Sequence, residues 1–429
     1  MTYLPFFVYG EELSSLLSAQ GAQRFLPHCS ATTLALIPML HIERLRGQEL
    51  PPELQSDWNR LAGDIPFRQW EWLANWWSCY REKSELYTLI VRDDAGIVRG
   101  IAPWRLRRSV AGGRIIEALG SGKVSSDYVS ILCAANDTHH VAAAIGNWLV
   151  EANRGTSANR TNAWDLLFLD GVVADDEGVR EIARRLTSEG CTSHEKLGLR
   201  TWRIPLSDDW EKYVATLSKS VRRQAKRTLK KLQDEGGIDY VEATNDASME
   251  RGFSILVDLH QKRWEHVGME GCFCDDRFTR FLRMACQDFF VKGKVHLSWL
   301  EQDGKPFVVN IEFDGGDVEY VYQGGMDPHF RAMSPGWLHM VHLFQRSIAM
   351  GKTHRDYLRG DEPYKKHWRG VPTQLVDLRI VPPHMAARIR HGVWMLGDSL
   401  KHWVKKRLRG GTPVALEATP DEAESTENT

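Results

Sequence analysis

The sequence predicts an α/β (α+β) protein of two domains, each with a mixed sheet flanked by helices. Its 429 residues are about twice the usual domain length. Short β-rich runs separated by turn residues lie among stretches of helical apolar spacing, which is the order expected of a mixed sheet. The 42% hydrophobic and 26% charged content is that of an ordinary globular protein.

Charge and cysteine content exclude several classes of function. The 55 Lys and Arg residues balance 56 Asp and Glu residues, so any basic site must be local. The seven cysteines lack the C-x-x-C spacing of zinc and redox sites, which predicts reduced thiols, a cytoplasmic protein and no metal site. They lie at positions 29, 79, 133, 191, 272, 274 and 286.

The first 40 residues show no sustained period and are interpreted as an N-terminal extension. Their most apolar stretch, residues 31–40, follows no basic segment and is far shorter than the roughly 20 residues that span a bilayer. We therefore expect neither secretion nor a membrane-spanning segment.

The first domain is predicted over residues 41–202. Trp70, Leu73, Trp77 and Tyr80 have helical spacing and predict an aromatic core stripe, with a ligand platform as the alternative. Further along, the pattern predicts a hairpin, two more strands and two helices. These are the hairpin 86–107, strands 114–119 and 164–169, and helices 141–152 and 177–189.

The second domain is predicted over residues 203–382 and begins with a basic amphipathic helix. Residues 219–231 hold seven basic residues and no acid. An apolar seam runs beside them through Leu217, Val221, Ala225, Thr228 and Leu232. The basic side suits a solvated face, an anionic ligand or nucleic acid, and the lack of interleaved aromatic residues weakens the last interpretation.

The rest of this domain is predicted as two helices, a three-stranded meander, a helix and a short strand. The helices cover residues 248–266 and 275–290, the meander ends at Gly324, the next helix covers 337–350 and the strand 354–358. Before the 337–350 helix, Ser334 is a predicted N-cap, Pro335 suits the first helical position and Gly336 permits close approach of a ligand. A helix N-terminus of this kind binds pyrophosphate, although a plain cap explains it equally.

Several motifs resemble the GNAT-fold acetyltransferases of the cellulose-biosynthesis CelD type, and the resemblance covers most of the chain. In the first half they are Pro66-Phe67, GIAPW (100–104) and GSGKVSSDY (120–128). In the second half they are LSKSVRRQAKR (217–227), LHQKRW (259–264), YVYQGG (320–325), MSPGWL (333–338) and YLRGDEPYKKHW (357–368). The resemblance implies two tandem GNAT-like domains with mostly antiparallel sheets, as in the Fem-type aminoacyl ligases, and a working site in the second.

The resemblance also implies roles for individual residues. Ser334, Pro335, Gly336 and Trp337 would hold the pyrophosphate of acyl-CoA, the co-substrate, with no permanently bound cofactor. Tyr364 is the predicted acid for the leaving thiolate. The other assignments are Asp361 or Glu362 as base or amine ligand, Lys365 or Arg359 for a phosphate or carboxylate, and His260, Arg263, Trp264 and Tyr322 for the acceptor.

The predicted function is transfer of an acetyl or other acyl group from acyl-CoA to an amine or hydroxyl acceptor, in exopolysaccharide, cellulose or envelope biosynthesis. The usual GNAT phosphate loop is R/Q-x-x-G-x-G/A, whereas residues 331–336 hold one glycine and a proline. That departure favours two alternatives, a Fem-like transferase that uses aminoacyl-tRNA and a non-catalytic module of a polysaccharide assembly. No DNA partner is expected.

The C-terminal end begins at the Pro382-Pro383 break. Residues 383–409 carry Ile389, Val393, Leu396, Leu400, Val404 and Leu408 at helical spacing, with basic residues near the end. A packing helix and weak peripheral contact with a membrane surface both fit. Residues 410–429 are acidic and poor in aromatic residues, which predicts disorder.

Overall fold

The computed structural model describes residues 39–154, 161–234 and 237–408, and the strands within them form two sheets. In the first half the strands are β1 (His41–Arg44), β2 (Glu85–Leu86), β3 (Leu89–Arg92), β4 (Val98–Ala102), β5 (Trp104–Ser109), β6 (Gly113–Ala118), β7 (Leu132–Cys133), β8 (Leu166–Val173) and β9 (Thr192–Pro205). In the second half they are β10 (Ile238–Glu242), β11 (Val295–Gln302), β12 (Lys305–Gly315), β13 (Val318–Met326), β14 (His354–Arg359) and β15 (Val371–Val381).

Helices flank both sheets. The first half contains α1 (Gln55–Ala62), α2 (Trp70–Tyr80), α3 (Thr138–Arg154) and α4 (Glu177–Ser188). The second half contains α5 (Trp210–Thr216), α6 (Lys219–Asp234), α7 (Asp246–His266), α8 (Asp276–Val291), α9 (Pro335–Ala349), α10 (Pro363–His367) and α11 (Met385–Leu408).

One sheet of eleven described strands joins the two halves. Its order is β10-β11-β12-β13-β14-β9-β15-β8-β6-β5-β2, and the smaller sheet has the order β1-β3-β4-β7. The neighbouring strands are antiparallel except for the pairs β13–β14 and β6–β8. The predicted class, a mixed and mostly antiparallel α/β fold, is confirmed.

Strand β15, which the sequence pattern did not reveal, connects the halves. It pairs antiparallel with β9 over Val371–Val381 and with β8 from Leu375 to Ile380. The last described strand therefore completes the sheet of the first half. The predicted domain boundary at 202/203 falls inside β9 and stays a prediction.

The predicted hairpin over residues 86–107 is divided between the two sheets. Pro103, which has no N–H to donate to a ladder, separates β4 from β5, and Tyr87 and Thr88 separate β2 from β3. The central strands β3 and β4 pair in the small sheet, while β2 and β5 pair in the large one. A single hairpin thereby supplies both sheets.

Helix α2 is buried on most of its surface, beyond the predicted stripe. Trp72 and Trp76 are as buried as Leu73 and Trp77. The Trp72 ring lies 4.8 Å from Phe281 of α8, measured between ring centroids. A helix that is apolar nearly all round belongs in a core, and α2 packs against the second half of the chain through α8.

The basic helix is confirmed as α6, separated from α5 at Leu217 and Ser218. Its predicted seam is correct, because Val221, Ala225 and Thr228 are buried. This seam packs against α9. The basic side chains of Lys219 to Lys230 face outward.

Helix α11 corrects the prediction of a packing helix. Ile389, Val393 and Leu396 of the predicted seam are 59%, 66% and 73% exposed, while Ala387 and Trp394 face the protein. Periodicity identified the apolar stripe but not the face that packs. Within the described residues, no helix combines the length and apolar composition needed to cross a membrane. The extension up to residue 38 and the tail from residue 410 lie outside them.

Candidate active site

Strands β13 and β14 diverge at the centre of the large sheet. They pair in parallel only at Val318–Tyr320 with His354–Asp356, although β13 continues to Met326 and β14 to Arg359. Beyond Tyr320 the two strands therefore separate. The C-terminal ends of parallel strands are where α/β sheets most often place ligands.

A loop of the first half, residues 120–128, reaches this divergence and is called the junction loop below. The Tyr322 hydroxyl donates to the carbonyl of Val124 at 3.2 Å. The backbone N–H of Arg359 donates to Asp127 at 2.7 Å, and Arg359 Nη2 donates to the carbonyl of Ser126 at 2.9 Å. Arg359 therefore links the two halves, and its role as a ligand for phosphate or carboxylate stays a prediction.

The junction loop brings Tyr128 to a buried carboxylate on β14. The Tyr128 hydroxyl donates to Asp356 Oδ2, which also accepts from Arg203 Nε at 3.1 Å. The backbone N–H of Leu358 donates to Oδ1 at 2.9 Å. Burial raises the pKa of Asp356 above its ordinary value, against the opposing effects of Tyr128 and Arg203.

Tyr128 is held in a strained conformation. Its φ is 63°, in the left-handed region that most residues avoid, and Ser125 in the same loop has a φ of 50°. Burial, followed by the negative charge of Asp356, raises the pKa of Tyr128. The phenol thus remains a proton donor beside a carboxylate that is ready to bind a proton, and strained residues of this kind are concentrated at functional sites.

The other face of β14 carries a buried ionic network. Arg355 is fully buried and lies between Glu312 and Glu319, with its Nη1 donating to Glu319 at 2.9 Å. Arg346 Nη1 donates to the second oxygen of Glu319 at 2.8 Å. Arg355, Arg346, Lys352 and His296 provide the basic groups of this network, and Glu242, Glu312, Asp314 and Glu319 provide its carboxylates.

Ion pairing in this network shifts the pKa values of three groups. Burial alone would lower the pKa of His296, but hydrogen bonds with Asp314 and Glu242 raise it to about 9. Burial opposes ionisation of Glu242, yet bonds from His296 and Arg346 lower its pKa to about 2. The pKa of Asp314 is also lowered to about 2, against burial, by His296 and Lys352. These three groups are therefore charged at neutral pH, whereas burial raises the pKa of Glu312.

The predicted phosphate loop precedes α9. Pro335 occupies the first helical position as expected, but the side chain of Ser334 makes no capping hydrogen bond. Ser334 has a φ of 54° and closes the preceding 3-10 helix, Pro328–Met333, by donating its N–H to the carbonyl of Arg331 at 2.9 Å. Ser334 therefore occupies the predicted N-cap position without a side-chain cap, because its left-handed backbone replaces the extended conformation of a capping residue.

Lys365 points inward from α10. Its ammonium group donates to the carbonyls of Tyr357, Leu358 and Gly360 at 3.0, 3.3 and 3.1 Å, and lies 2.8 Å from a carboxylate oxygen of Glu362. The side chain is 2% exposed. Lys365 thus stabilises the end of β14, and its role of pairing with a phosphate or an acceptor carboxylate stays a prediction.

Two other predicted catalytic residues lie apart from each other. Asp361 accepts hydrogen bonds from Arg200 Nε at 2.8 Å and Trp202 Nε1 at 3.1 Å, and so faces β9. Tyr364 is half-buried, with its ring 5.9 Å from that of Tyr357, in the apolar cluster that includes Trp337. The structure thus brings Tyr364, but not Asp361, to the α9 side.

His260 of α7 makes the contacts of a core histidine. Its Nε2 accepts from Trp264 Nε1 at 2.9 Å, and its ring packs edge-on against Phe273 at 4.9 Å. Burial lowers its pKa to about 4, so the ring is neutral. A Cβ at Gly325 would lie 2.4 Å from the His260 backbone nitrogen, which shows how closely α7 approaches β13. Arg263 is half-buried on the same helix.

Sequence reasoning missed the central group, which consists of Tyr128, Arg203 and Asp356. Two signals were available for finding it. Arg355 and Asp356 are charged residues within a short buried strand, and Tyr128 ends the GSGKVSSDY motif. Only the fold brings them together, because 228 residues separate Tyr128 from Asp356.

Comparison with known proteins agrees with this architecture. Residues 219–366 match the family model described as an acetyltransferase (GNAT) domain. No curated protein matches the chain. Among solved structures, FemX superposes with a TM-score of 0.52 at 11% identity over 78% of this chain and 96% of FemX, which shows a shared fold.

Two further structures are similar at a lower level. A conserved protein of unknown function from Bacteroides thetaiotaomicron has a TM-score of 0.48 at 13% identity over 79% of this chain and all of that one. A tandem GNAT protein from the clavulanic acid biosynthesis pathway has a TM-score of 0.44 at 12% identity over 80% of this chain and 99% of that one.

Proposed function

We propose that this chain is a GNAT-type acyltransferase that moves an acyl group from acyl-CoA to an amine or hydroxyl acceptor. The observation that carries the proposal is the divergence of β13 from β14 inside the residues that match the acetyltransferase model. A ligand entering there reaches both faces of the sheet.

The two faces suit the two substrates. On one face, α9 begins at Pro335-Gly336, and a helix N-terminus attracts pyrophosphate through its dipole and free N–H groups. The basic helix α6 packs beside α9, and the two share an apolar cluster through Leu232 and Leu338. On the other face, Tyr128 and Asp356 suit an acceptor that must lose a proton.

The chemistry would proceed by direct attack. The acceptor nitrogen or oxygen forms a bond to the thioester carbon, the carbon–sulfur bond breaks, and the thiolate leaves with a proton supplied by Tyr364. Asp356, whose pKa is raised by burial, would accept the proton that the acceptor loses. The sequence-based candidates for this base, Asp361 and Glu362, remain rivals that substitution can separate from Asp356.

The acceptor class is the finer part of the proposal. The resemblance to CelD-type proteins favours an acceptor in exopolysaccharide, cellulose or envelope biosynthesis. Tyr322 on β13 and Trp264 on α7 lie on the same side of the sheet as Tyr128 and suit contact with such an acceptor. A panel of amino sugars and simple amines, assayed by thiol release from acetyl-CoA, tests this class.

Calorimetry with acetyl-CoA and desulfo-CoA tests the donor. We expect both ligands to bind the wild type, and Gly336→Trp to abolish binding because the indole would fill the start of α9. Gly392→Trp is the matched control, since a side chain at Gly392 meets no atom within 4 Å. Absence of binding to the wild type would refute acyl-CoA as the donor, and equal binding to both variants would refute the binding position at the start of α9.

A second candidate is transfer of an aminoacyl group from tRNA. The exposed basic face of α6 favours it, because phosphate contacts dominate the binding of nucleic acids. Reversing the charges of Lys219, Arg223 and Arg227 should then abolish transfer from aminoacyl-tRNA, with coenzyme A having no effect. If the same variant keeps full binding of acetyl-CoA and the wild type uses no tRNA, this candidate fails.

A further inference from the structure

Helix α11 lies against the first-half sheet with only one of its sides. Ala387 packs in an apolar cluster with Ile115, Leu166 and Val381. Two helical turns further, Trp394 receives the Arg379 guanidinium over its ring at 3.9 Å. These contacts fix which side of α11 faces outward.

The outward side carries an apolar stripe with no protein against it in the described residues. Met385, Ile389, Val393 and Leu396 are 74%, 59%, 66% and 73% exposed, at helical spacings of four, four and three. In the sequence the same period continues at Leu400, Val404 and Leu408. Contiguous exposed apolar surface of this kind marks a site of interaction.

Positive charge accompanies the stripe. From Met385 to Leu408 the helix has six Lys and Arg residues and one acidic residue, Asp398. An open hollow of about 580 Å³ beside it is lined by Arg108, Arg114 and Arg390, together with Asp165. Val110, a fully exposed apolar residue at the β5–β6 turn, lines the same hollow. Apolar and basic groups therefore lie side by side.

We propose that α11 docks the protein on an anionic membrane surface, with its stripe in the interface and its cations on the headgroups. An interfacial helix needs an apolar face and basic flanks, and both are present here. A second copy of the chain is the weaker occupant, because pairing two α11 helices would bring their excess positive charges together. Phosphate headgroups suit the arginine-lined hollow.

Vesicle flotation of the full chain tests the proposal. We expect the wild type to float with phosphatidylcholine vesicles that contain phosphatidylglycerol, and to float less with phosphatidylcholine alone or at high salt. Ile389→Glu/Val393→Glu should weaken binding at least about tenfold, because two charged side chains would enter the apolar interface. Leu197→Glu/Val291→Glu is the control, since these apolar residues are 74% and 85% exposed elsewhere.

Three results would overturn the proposal. The wild type fails to float with anionic vesicles, the α11 variant floats as well as the wild type, or the control variant loses binding equally. Light scattering of the same proteins can give a fourth result that would overturn the proposal. A wild-type dimer that Ile389→Glu/Val393→Glu converts to monomer, without vesicle binding, would assign the stripe to a second copy of the chain. Circular dichroism and acetyl-CoA binding confirm that the variants fold.

Discussion

The two faces of β14 carry two different kinds of buried charge. On one face, Arg355 is fully buried between two carboxylates, Glu312 and Glu319, and Glu319 also accepts from Arg346. On the other, Asp356 is equally buried but meets a single cation, Arg203, whose side chain is 36% exposed. Adjacent residues on one strand thus differ in how completely their charge is compensated.

We therefore assign the two faces of β14 different roles, one in stability and the other in the proposed reaction. The ionic network joins five strands and α9, and its groups His296, Glu242 and Asp314 stay ionised at neutral pH. A buried carboxylate with a raised pKa gains by binding a proton, which is the property required of a general base. We therefore expect substitutions on the two faces to affect different measurements.

The largest effect on stability should come from Arg355→Met. Removing this cation leaves Glu312 and Glu319 buried without it, which costs about 3–5 kcal/mol. Urea unfolding at neutral pH measures the change. Arg203→Met, at the partly exposed cation of the other face, is the matched control and should cost far less. Equal losses of stability in Arg355→Met and Arg203→Met would contradict the difference between the two faces.

Asp356→Asn should produce the reverse pattern. We expect transfer activity to fall by about 10²- to 10⁴-fold because the base is lost. Stability at neutral pH should hold or rise, because a group whose folded pKa is raised makes its stabilising contribution at low pH and loses it as the pH rises. Thiol release from acetyl-CoA and urea unfolding test both parts. A greater loss of activity in Asp361→Asn would identify Asp361 as the base instead.

His296 should make the stability of the network depend on pH. Its folded pKa of about 9 lies above the ordinary 6.5, so its contribution is complete below 6.5 and disappears as the pH rises to about 9. We expect the wild type to lose on the order of 1–3 kcal/mol across this range. Unfolding of His296→Gln at several pH values should show a flatter profile. An unchanged slope would contradict the raised pKa.

The smallest effect is expected from Tyr128→Phe. The hydroxyl stabilises the carboxylate of Asp356, so its loss should raise the Asp356 pKa further and move the acidic limb of the pH–rate profile to higher pH. The cost in stability should be about 0.5–1.5 kcal/mol for one hydrogen bond. A pH–rate profile with the same acidic limb as the wild type would show that this hydroxyl does not tune the base.

Local patterns were sufficient to predict most of the secondary structure. The aromatic spacing of α2 and the alternation in the predicted meander, which forms β11 to β13, identified elements whose periods are strong. The seam of α6 was also correct, since Val221 and Ala225 recur on one face. These features depend on neighbours within a few residues, which a sequence displays directly.

Long-range pairing was beyond such patterns. Strand β15 has the alternation of an ordinary strand, yet nothing local indicates that it pairs with β8, some 200 residues earlier in the chain. Nothing local shows that Lys365 meets three backbone carbonyls or that Arg359 meets Asp127, because the fold supplies these partners. Polarity alone does not reveal which way a side chain points.

The insertion of β15 between β8 and β9 has a consequence for biosynthesis. During translation, β8 emerges long before its partner and exposes one unpaired edge until residues 371–381 leave the ribosome. Unpaired edges are prone to aggregation, and such distant contacts form slowly. The first half of the nascent chain therefore needs a late segment of the same chain to complete its sheet. A protein truncated before β15 would have unpaired edges on β8 and β9, where the full chain has a continuous sheet.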